Sequence, residues 1–165
     1  MTPWTDRARE ERALLNPAFC AQLLWHAARG HASATPNGLS FEESFLVLPF
    51  VLHAPTRSAL PRDTRTSMVV WLARNPLARG NIVDRARLLV PFVREALTFG
   101  AMHGVIELSQ GRVQPRAEWA GRVSAVLAEA NDDVSDCARR AEFVGKWFAR
   151  AGSSATVLAL VGVRP

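Results

Sequence analysis

Apolar side chains recur at helical spacing along most of the chain, beginning with the segment NPAFCAQLLWHAARG. Asn16 is a favoured helix N-cap and Pro17 a favoured first helical residue, while Gly30 is typical of a helix end. The sequence therefore predicts a first helix between Pro17 and Gly30. Its apolar face comprises Phe19, Leu23, Leu24 and Ala27.

A second helix is predicted in the most hydrophobic part of the chain. Ser40 and Glu43 have the spacing of a capping box, which predicts a helix from Phe41 to Leu52. Pro49 lies inside this helix, where its ring removes a backbone donor and clashes with the preceding turn. We therefore expect the helix to be kinked.

The next part of the pattern predicts two more helices and then a β-hairpin. The shorter of these two helices has Asp63 or Thr64 as its N-cap. It ends at Asn75, because the following proline disfavours helical backbone there. The longer helix spans residues 81–104 and runs directly into the segment VIELSQGRVQP, residues 105–115, whose alternating residues are typical of a hairpin. A helix followed directly by a hairpin is the layout of a winged helix-turn-helix. The apolar stripe of the long helix consists of Ile82, Ala86, Leu89, Val93, Leu97 and Gly100.

Two helices, at residues 118–130 and 134–151, and a final apolar segment complete the pattern. The final segment is either a short helix or a strand. We favour a helix, because Ser153 or Ser154 can cap it and Gly162 can end it. The predicted fold class is mainly α: a helical domain with a winged-helix-like helix plus a small β-hairpin.

Composition is consistent with a single globular domain. The chain has 165 residues, of which 48% are hydrophobic and 21% charged, and a chain of this length buries enough surface to fold without disulfides or metal. Residues 1–15 are polar and are predicted to be a flexible N-terminal segment, while residues 16–165 form a single mainly helical domain. Cys20 and Cys137 are interpreted as buried free thiols.

No targeting or membrane segment is evident in the sequence. Acidic residues stand where a signal peptide needs an apolar core, and Pro49 interrupts the most hydrophobic stretch. We therefore expect a soluble, cytoplasmic protein without a membrane partner.

The charged residues permit an anionic partner without identifying one. The formal charge is +5, and Lys146 is the only lysine among 20 basic residues. Arginine is the better bidentate partner for phosphate and carboxylate groups, but the arginines here are scattered along the chain. Charge alone therefore does not establish nucleic-acid binding.

Catalytic and metal-binding patterns are missing from the sequence. No two of the four histidines have the spacing of a helical metal site, and neither a nucleophile elbow nor a phosphate-binding glycine loop is present. Three aspartates at 132, 133 and 136 are interpreted as the acidic start of a helix. We therefore expect no catalytic residues, no cofactor and no enzyme activity.

The segment HAPTRSALPRDTRTS, residues 53–67, combines hydroxyl side chains with three arginines. Helix capping accounts for most of the hydroxyl groups. It does not account for Arg57, Arg62 and Arg65, which have only one nearby acid, Asp63. The three arginines are therefore predicted to form part of an interaction surface that faces a protein or a phosphate group.

Four segments, LLNPAFCAQLL, SFLVLPFVLHAPTRSALPRDTRTSMVVWLARNP, RARLLVPFVREALTFGAMHGVIEL and VGKWFARAGSSATVLALVGVRP, support a family resemblance. Together they resemble the middle components of three-component ABC-ATPase systems, over Leu14 to Pro165. The resemblance implies a non-catalytic subunit that binds an SMC/Rad50-like ABC ATPase and works with a separate effector subunit. It further implies a role in bacterial defence against phage or plasmids, as in Lamassu-type systems, with DNA contact possible through the complex.

A stand-alone winged-helix DNA-binding regulator is the alternative function. In that case the exposed arginines of the helix Val83–His103 and Arg112 of the hairpin would contact phosphates. An enzyme of unrecognised type is a third possibility. The adaptor subunit is the function that we expect.

Overall fold

Helices account for most of residues 6–163, the part of the chain that the computed structural model describes. The first helices are α1 (Arg9–Leu14), α2 (Pro17–Ala32), α3 (Phe41–Val51), α4 (Ala54–Ala59) and α5 (Met68–Arg74). The later ones are α6 (Pro76–Met102), α7 (Ala120–Glu129), α8 (Asp132–Ala151) and α9 (Ser154–Val161). A 3₁₀ turn, Ala117–Trp119, precedes α7.

The small sheet contains the predicted hairpin and one further strand. The hairpin strands are β2 (Ile106–Ser109) and β3 (Arg112–Pro115), and β1 (Leu39–Ser40) pairs antiparallel with β3 on the side opposite β2. The fold class predicted from the sequence, mainly α with a small β-hairpin, is confirmed. The sequence did not predict β1, because a two-residue strand is too short to show an alternating pattern.

Local capping signals fixed several helix ends. The Asn16 side chain accepts hydrogen bonds from the backbone of Ala18 and Phe19, and Ser40 and Glu43 form both halves of the capping box. The final segment is helical, as favoured. Ser153 caps α9, and Gly162 ends it with a φ of 96°, in the left-handed region that suits glycine.

Three predicted helix boundaries were wrong. The long helix α6 begins at Pro76 and not at residue 81. Helix α2 continues past Gly30 to Ala32, because Gly30 serves the packing of α2 on α8 and not a helix end. Helix α5 is capped by Ser67, not by Asp63 or Thr64. The Asp63 carboxylate instead accepts from the backbone and side chain of Arg65.

Helices α2 and α8 pack closely at the centre of the molecule. A Cβ atom on Gly30 would lie 2.0 Å from the carbonyl oxygen of Glu142, and one on Gly145 would lie 1.9 Å from that of Ala27. The two glycines therefore let the helix backbones approach at two points. A cluster of edge-to-face and tilted aromatic rings packs beside this contact: Phe50, Trp71, Trp147 and Phe148.

The predicted flexible segment, residues 1–15, is partly helical. It contains α1, and Arg7 is 6% exposed and forms an ion pair with Glu95 at 2.9 Å between Nη1 and Oε2. Residues 1–5 of this segment, and residues 164–165 at the other end, lie outside the described residues.

The described residues provide no metal-binding cluster of histidine, cysteine or carboxylate side chains. Cys20 and Cys137 are buried free thiols, and burial raises the pKa of Cys20 to about 12. Within the described part of the chain, no helix has both the length and the apolar composition needed to cross a bilayer.

His26 lies in the core on α2 as a neutral ring. It is 3% exposed, neither ring nitrogen has a hydrogen-bond partner among residues 6–163, and its ring meets that of Trp25 edge-on at 5.1 Å. Burial, together with the charge of Arg29, lowers its pKa to about 4, although Glu142 opposes this shift. Protonation of His26 is therefore unfavourable in the folded state.

We expect acid to destabilise the fold through His26. Between its unfolded pKa of about 6.5 and its folded pKa of about 4, the unfolded chain binds a proton that the folded chain does not. The free energy of unfolding should therefore fall by about 2 kcal/mol through this group between about pH 7.5 and about pH 5. Urea titrations of the wild type and of His26→Leu at both pH values measure this fall in the free energy of unfolding. The fall should be smaller by about 2 kcal/mol in the variant, which lacks the imidazole. An equal decrease in both proteins would contradict the assignment.

Candidate interaction surfaces

Arg57 lies inside the fold and not on a surface. It is 4% exposed, its Nη1 donates to the carbonyl oxygen of Val51 at 2.7 Å, and its Nε donates to Asp136 Oδ2 at 2.8 Å. Its Nη2 also forms an ion pair with Asp133. Burial alone would lower the pKa of Arg57, but the hydrogen bond to Asp136 and the nearby negative charges raise it. The prediction that Arg57 belongs to an interaction surface is therefore wrong.

Arg57 is buried because it connects the end of α3 to the start of α8. Val51 is the last residue of α3, where carbonyl groups lack helical partners. Asp133 lies in the first turn of α8, where acidic residues are favoured, and Asp136 lies in the following turn. The guanidinium therefore caps α3 and ties it to the start of α8. The sequence indicated the acidic start of α8 but not that Arg57 would reach it.

Arg62 and Arg65 do lie on the surface. The Arg65 side chain is 88% exposed and pairs with Asp63, to which its Nε donates at 2.9 Å. Arg62 is exposed and forms no ion pair or hydrogen bond within residues 6–163. The structure thus separates these two arginines from Arg57, and their role in binding remains a prediction.

Helix α8 fixes the loop that carries Arg62 and Arg65. Arg140 Nη1 donates to the carbonyl oxygen of Pro61 at 2.9 Å, and Trp147 Nε1 donates to that of Thr66 at 2.8 Å. Arg150 also donates to the Thr64 hydroxyl. The loop is therefore held against α8 at three points along its length. No sequence signal connects these residues, which lie about 80 positions apart.

The outer side of α8 adds positive charge beside this loop. Arg139 is 76% exposed in its side chain and Arg150 is exposed as well. We call the four exposed arginines at this place the α8 basic surface: Arg62, Arg65, Arg139 and Arg150. Asp63 and Asp136 reduce its charge, because each pairs with one of these arginines.

A second candidate surface is an apolar groove of about 710 Å³ between α3, α6 and α9. We call it the α3–α6–α9 groove. Its floor and walls are mainly apolar, and charged side chains stand at its sides: Arg87 and Arg94 on α6, and Glu42 on α3. The apolar lining consists of Phe41, Phe45, Leu46, Ala86, Val90, Leu158 and Val163.

Apolar side chains are also exposed elsewhere on α6. Leu77, Leu88 and Met102 have exposed fractions of 84%, 72% and 78%. These three residues are 11 and 14 positions apart, about 16 and 21 Å along the helix, so they are separate exposed groups and not one contiguous patch. The long helix therefore offers more apolar surface than its own core contacts use.

One of the arginines predicted to contact phosphates, Arg85, has partners within the fold. Arg85 Nη2 donates to the Thr56 hydroxyl at 2.8 Å, and its Nε donates to the carbonyl oxygen of Pro49 at 3.2 Å. Arg112 is half-buried in β3. Arg87 and Arg94 alone of the arginines on α6 are exposed near its middle.

The sequence model of the ABC-three component (ABC-3C) system Middle Component 3 family matches residues 4–165. The chain belongs to this family. The match includes every helix and strand described above, so the middle-component assignment applies to the whole fold and not to one segment of it. The resemblance to middle components of three-component ABC systems is thereby confirmed.

Other comparisons add no relative. No curated protein and no solved structure matches this middle component.

Proposed function

We propose that this middle component is a non-catalytic adaptor that binds an SMC/Rad50-like ABC ATPase and links it to a separate effector subunit. Membership of the middle-component family over nearly the whole chain is the observation that carries the proposal. The exposed apolar groups of α6 and the α8 basic surface support it, because arginine and apolar side chains are enriched where proteins meet.

A protein partner fits the exposed surface of α6 better than DNA does. Duplex DNA presents a regular row of phosphates and is bound mainly through basic side chains. Leu77, Leu88 and Met102 cannot contribute to such contacts, and Arg85 already has partners inside the fold. DNA contact is assigned to the complex, and the proposed role is in cytoplasmic defence against phage or plasmids.

Co-expression with the ATPase and effector components of the same system tests the proposal. We expect the affinity-tagged middle component to retain the ATPase through size-exclusion chromatography. Purification of the middle component alone as a stable dimer that shifts a palindromic promoter fragment at physiological salt would favour the regulator instead. Turnover of a substrate by the isolated chain would contradict both functions.

The double charge reversal Arg62→Glu with Arg65→Glu should weaken binding to the ATPase. Both side chains are exposed, and surface ion pairs such as Arg65–Asp63 contribute little to folding. We therefore expect about tenfold weaker binding, equivalent to about 1.4 kcal/mol, and a melting temperature close to that of the wild type. Isothermal titration calorimetry with the purified ATPase measures the first quantity and differential scanning calorimetry the second.

A reversal of equal charge away from the α8 basic surface serves as the control. Arg9 and Arg122 are exposed near the starts of α1 and α7, where a glutamate is also favourable for the helix. The variant Arg9→Glu with Arg122→Glu should bind as the wild type does. If it weakens binding equally, net charge and not the α8 basic surface accounts for the effect.

A further inference from the structure

The α3–α6–α9 groove combines an apolar lining with a defined arrangement of charge. Arg87 and Arg94 are seven residues apart on α6, which places them two helical turns, or about 10.5 Å, apart on the same side of the helix. Glu42 lies in the first turn of α3. The two arginines on α6 and the glutamate on α3 give the groove one basic side and one acidic residue.

Neither arginine at the groove is firmly paired within the described residues. Arg87 approaches Asp84 Oδ1 only to 3.9 Å, and both side chains are 74% exposed. Arg94 is exposed and forms no ion pair in the part of the chain that the structure describes. Their guanidinium groups are therefore free to bind carboxylates, which they can do in bidentate geometry.

The lining shows that the groove accepts apolar side chains. Phe41 is 39% exposed although it is a large aromatic residue, and Val90 and Val163 are half-buried. From Ala86 to Arg94 the groove follows α6 for about 12 Å, which corresponds to slightly more than two turns of a helix lying along it. An amphipathic helix docks in such a groove through apolar residues spaced three and four apart.

We propose that this groove binds an amphipathic helix of the ATPase component. The helix presents its apolar side to Phe41, Phe45 and Val90. On one flank it carries two carboxylates, two turns apart, that pair with Arg87 and Arg94. On the other flank it carries a basic residue opposite Glu42. The inference rests on the proposed adaptor function, and it identifies the chemistry of the partner at one site.

Charge reversal at the groove tests the inference with the purified ATPase component. Arg87→Glu with Arg94→Glu should bind at least tenfold more weakly, because two attractive contacts become repulsive. The variant Arg9→Glu with Arg122→Glu has the same net charge and should bind as the wild type does. Circular dichroism melting of both variants confirms that each is folded. Equal weakening by both, or wild-type binding by the Arg87/Arg94 variant, would overturn the groove assignment.

A second variant tests the apolar part of the site without changing charge. Val90→Trp places an indole in the groove, and we expect at least tenfold weaker binding with an unchanged melting temperature. Val126→Trp, at an exposed position on α7 that does not line the groove, is the matched control and should bind normally. Wild-type binding by Val90→Trp would overturn the inference.

Photo-crosslinking identifies the occupant directly. A benzoylphenylalanine at Val90, in the reconstituted complex, should crosslink to an ATPase segment that has an apolar helical face and two acidic residues seven positions apart. A crosslink to a second copy of this chain, or to a segment without those acids, would overturn the inference while the adaptor function stands. Failure of the wild-type chain to bind the ATPase at all would instead overturn the adaptor function.

Discussion

Replacement of Arg57 by methionine should destabilise the protein by about 3 kcal/mol, although methionine retains much of the side-chain volume. Among the described residues, the substitution leaves the buried carbonyl oxygen of Val51 with only the thiol of Cys137, 3.7 Å away, as a donor. A buried acceptor without its hydrogen bond costs about 1–3 kcal/mol. Loss of the bonds to Asp133 and Asp136 releases the start of α8 from α3 and adds to this cost.

Chemical denaturation measures this effect, and calorimetry should show a melting temperature lower by about 6–12 °C. Arg139→Met is the matched control, because Arg139 pairs with the same aspartate, Asp136, at 3.0 Å but is 76% exposed. We expect the control to change stability by less than about 1 kcal/mol. Equal stability losses in the two variants would show that the burial of Arg57 is not what makes its contacts important.

Replacement of Gly145 by alanine should destabilise the protein, although alanine is the better helix former. Helix propensity alone predicts a gain of about 1 kcal/mol. The added methyl group, however, would lie 1.9 Å from the carbonyl oxygen of Ala27, which belongs to the backbone of α2 and cannot turn aside. Helices α2 and α8 would have to separate, so we expect a net loss of about 3 kcal/mol or more.

The same substitution at Gly80 provides the control. Gly80 lies within α6, and within 4 Å a Cβ atom there would meet none of the described atoms outside the adjoining backbone of its own helix. Gly80→Ala should therefore raise the free energy of unfolding by up to about 1 kcal/mol. Equilibrium denaturation of both variants measures the change in the free energy of unfolding, which should be negative for Gly145→Ala and positive for Gly80→Ala. A gain in both would show that α2 and α8 can move apart without loss.

Helix caps and the hairpin, which depend on residues close together in the chain, could be predicted from the sequence. Asn16, Ser40 and Ser153 were predicted as caps, and each accepts a hydrogen bond from a backbone group two or three residues further along the chain. Such interactions depend on spacing and residue type alone. For the same reason the hairpin was predicted at 105–115, which contains both of its strands.

Contacts between segments that are distant in the chain could not be predicted from the sequence. The sequence grouped Arg57 with Arg62 and Arg65 because they are neighbours in the chain, but the acids that bind Arg57 lie 76 and 79 residues away. Residues 53–67 contain too few acids to pair with their arginines. In the folded protein, however, acids from a distant part of the chain supply the partners of Arg57. Only Arg62 and Arg65 remain candidates for an interaction surface.

Glycine shows the same division between local and tertiary information. Gly162 ends a helix through its own backbone conformation, which the sequence predicted. Gly30, which the sequence predicted as a helix end, lies instead inside the last turn of α2, where the neighbouring backbone of α8 approaches it. Residue type and spacing thus determined where the longer helices lie and how several of them begin and end, but not the short helices α1 and α4. The packing of those helices decided which arginines are buried, which glycines are needed and where the groove lies, because each depends on atoms that are distant in the chain.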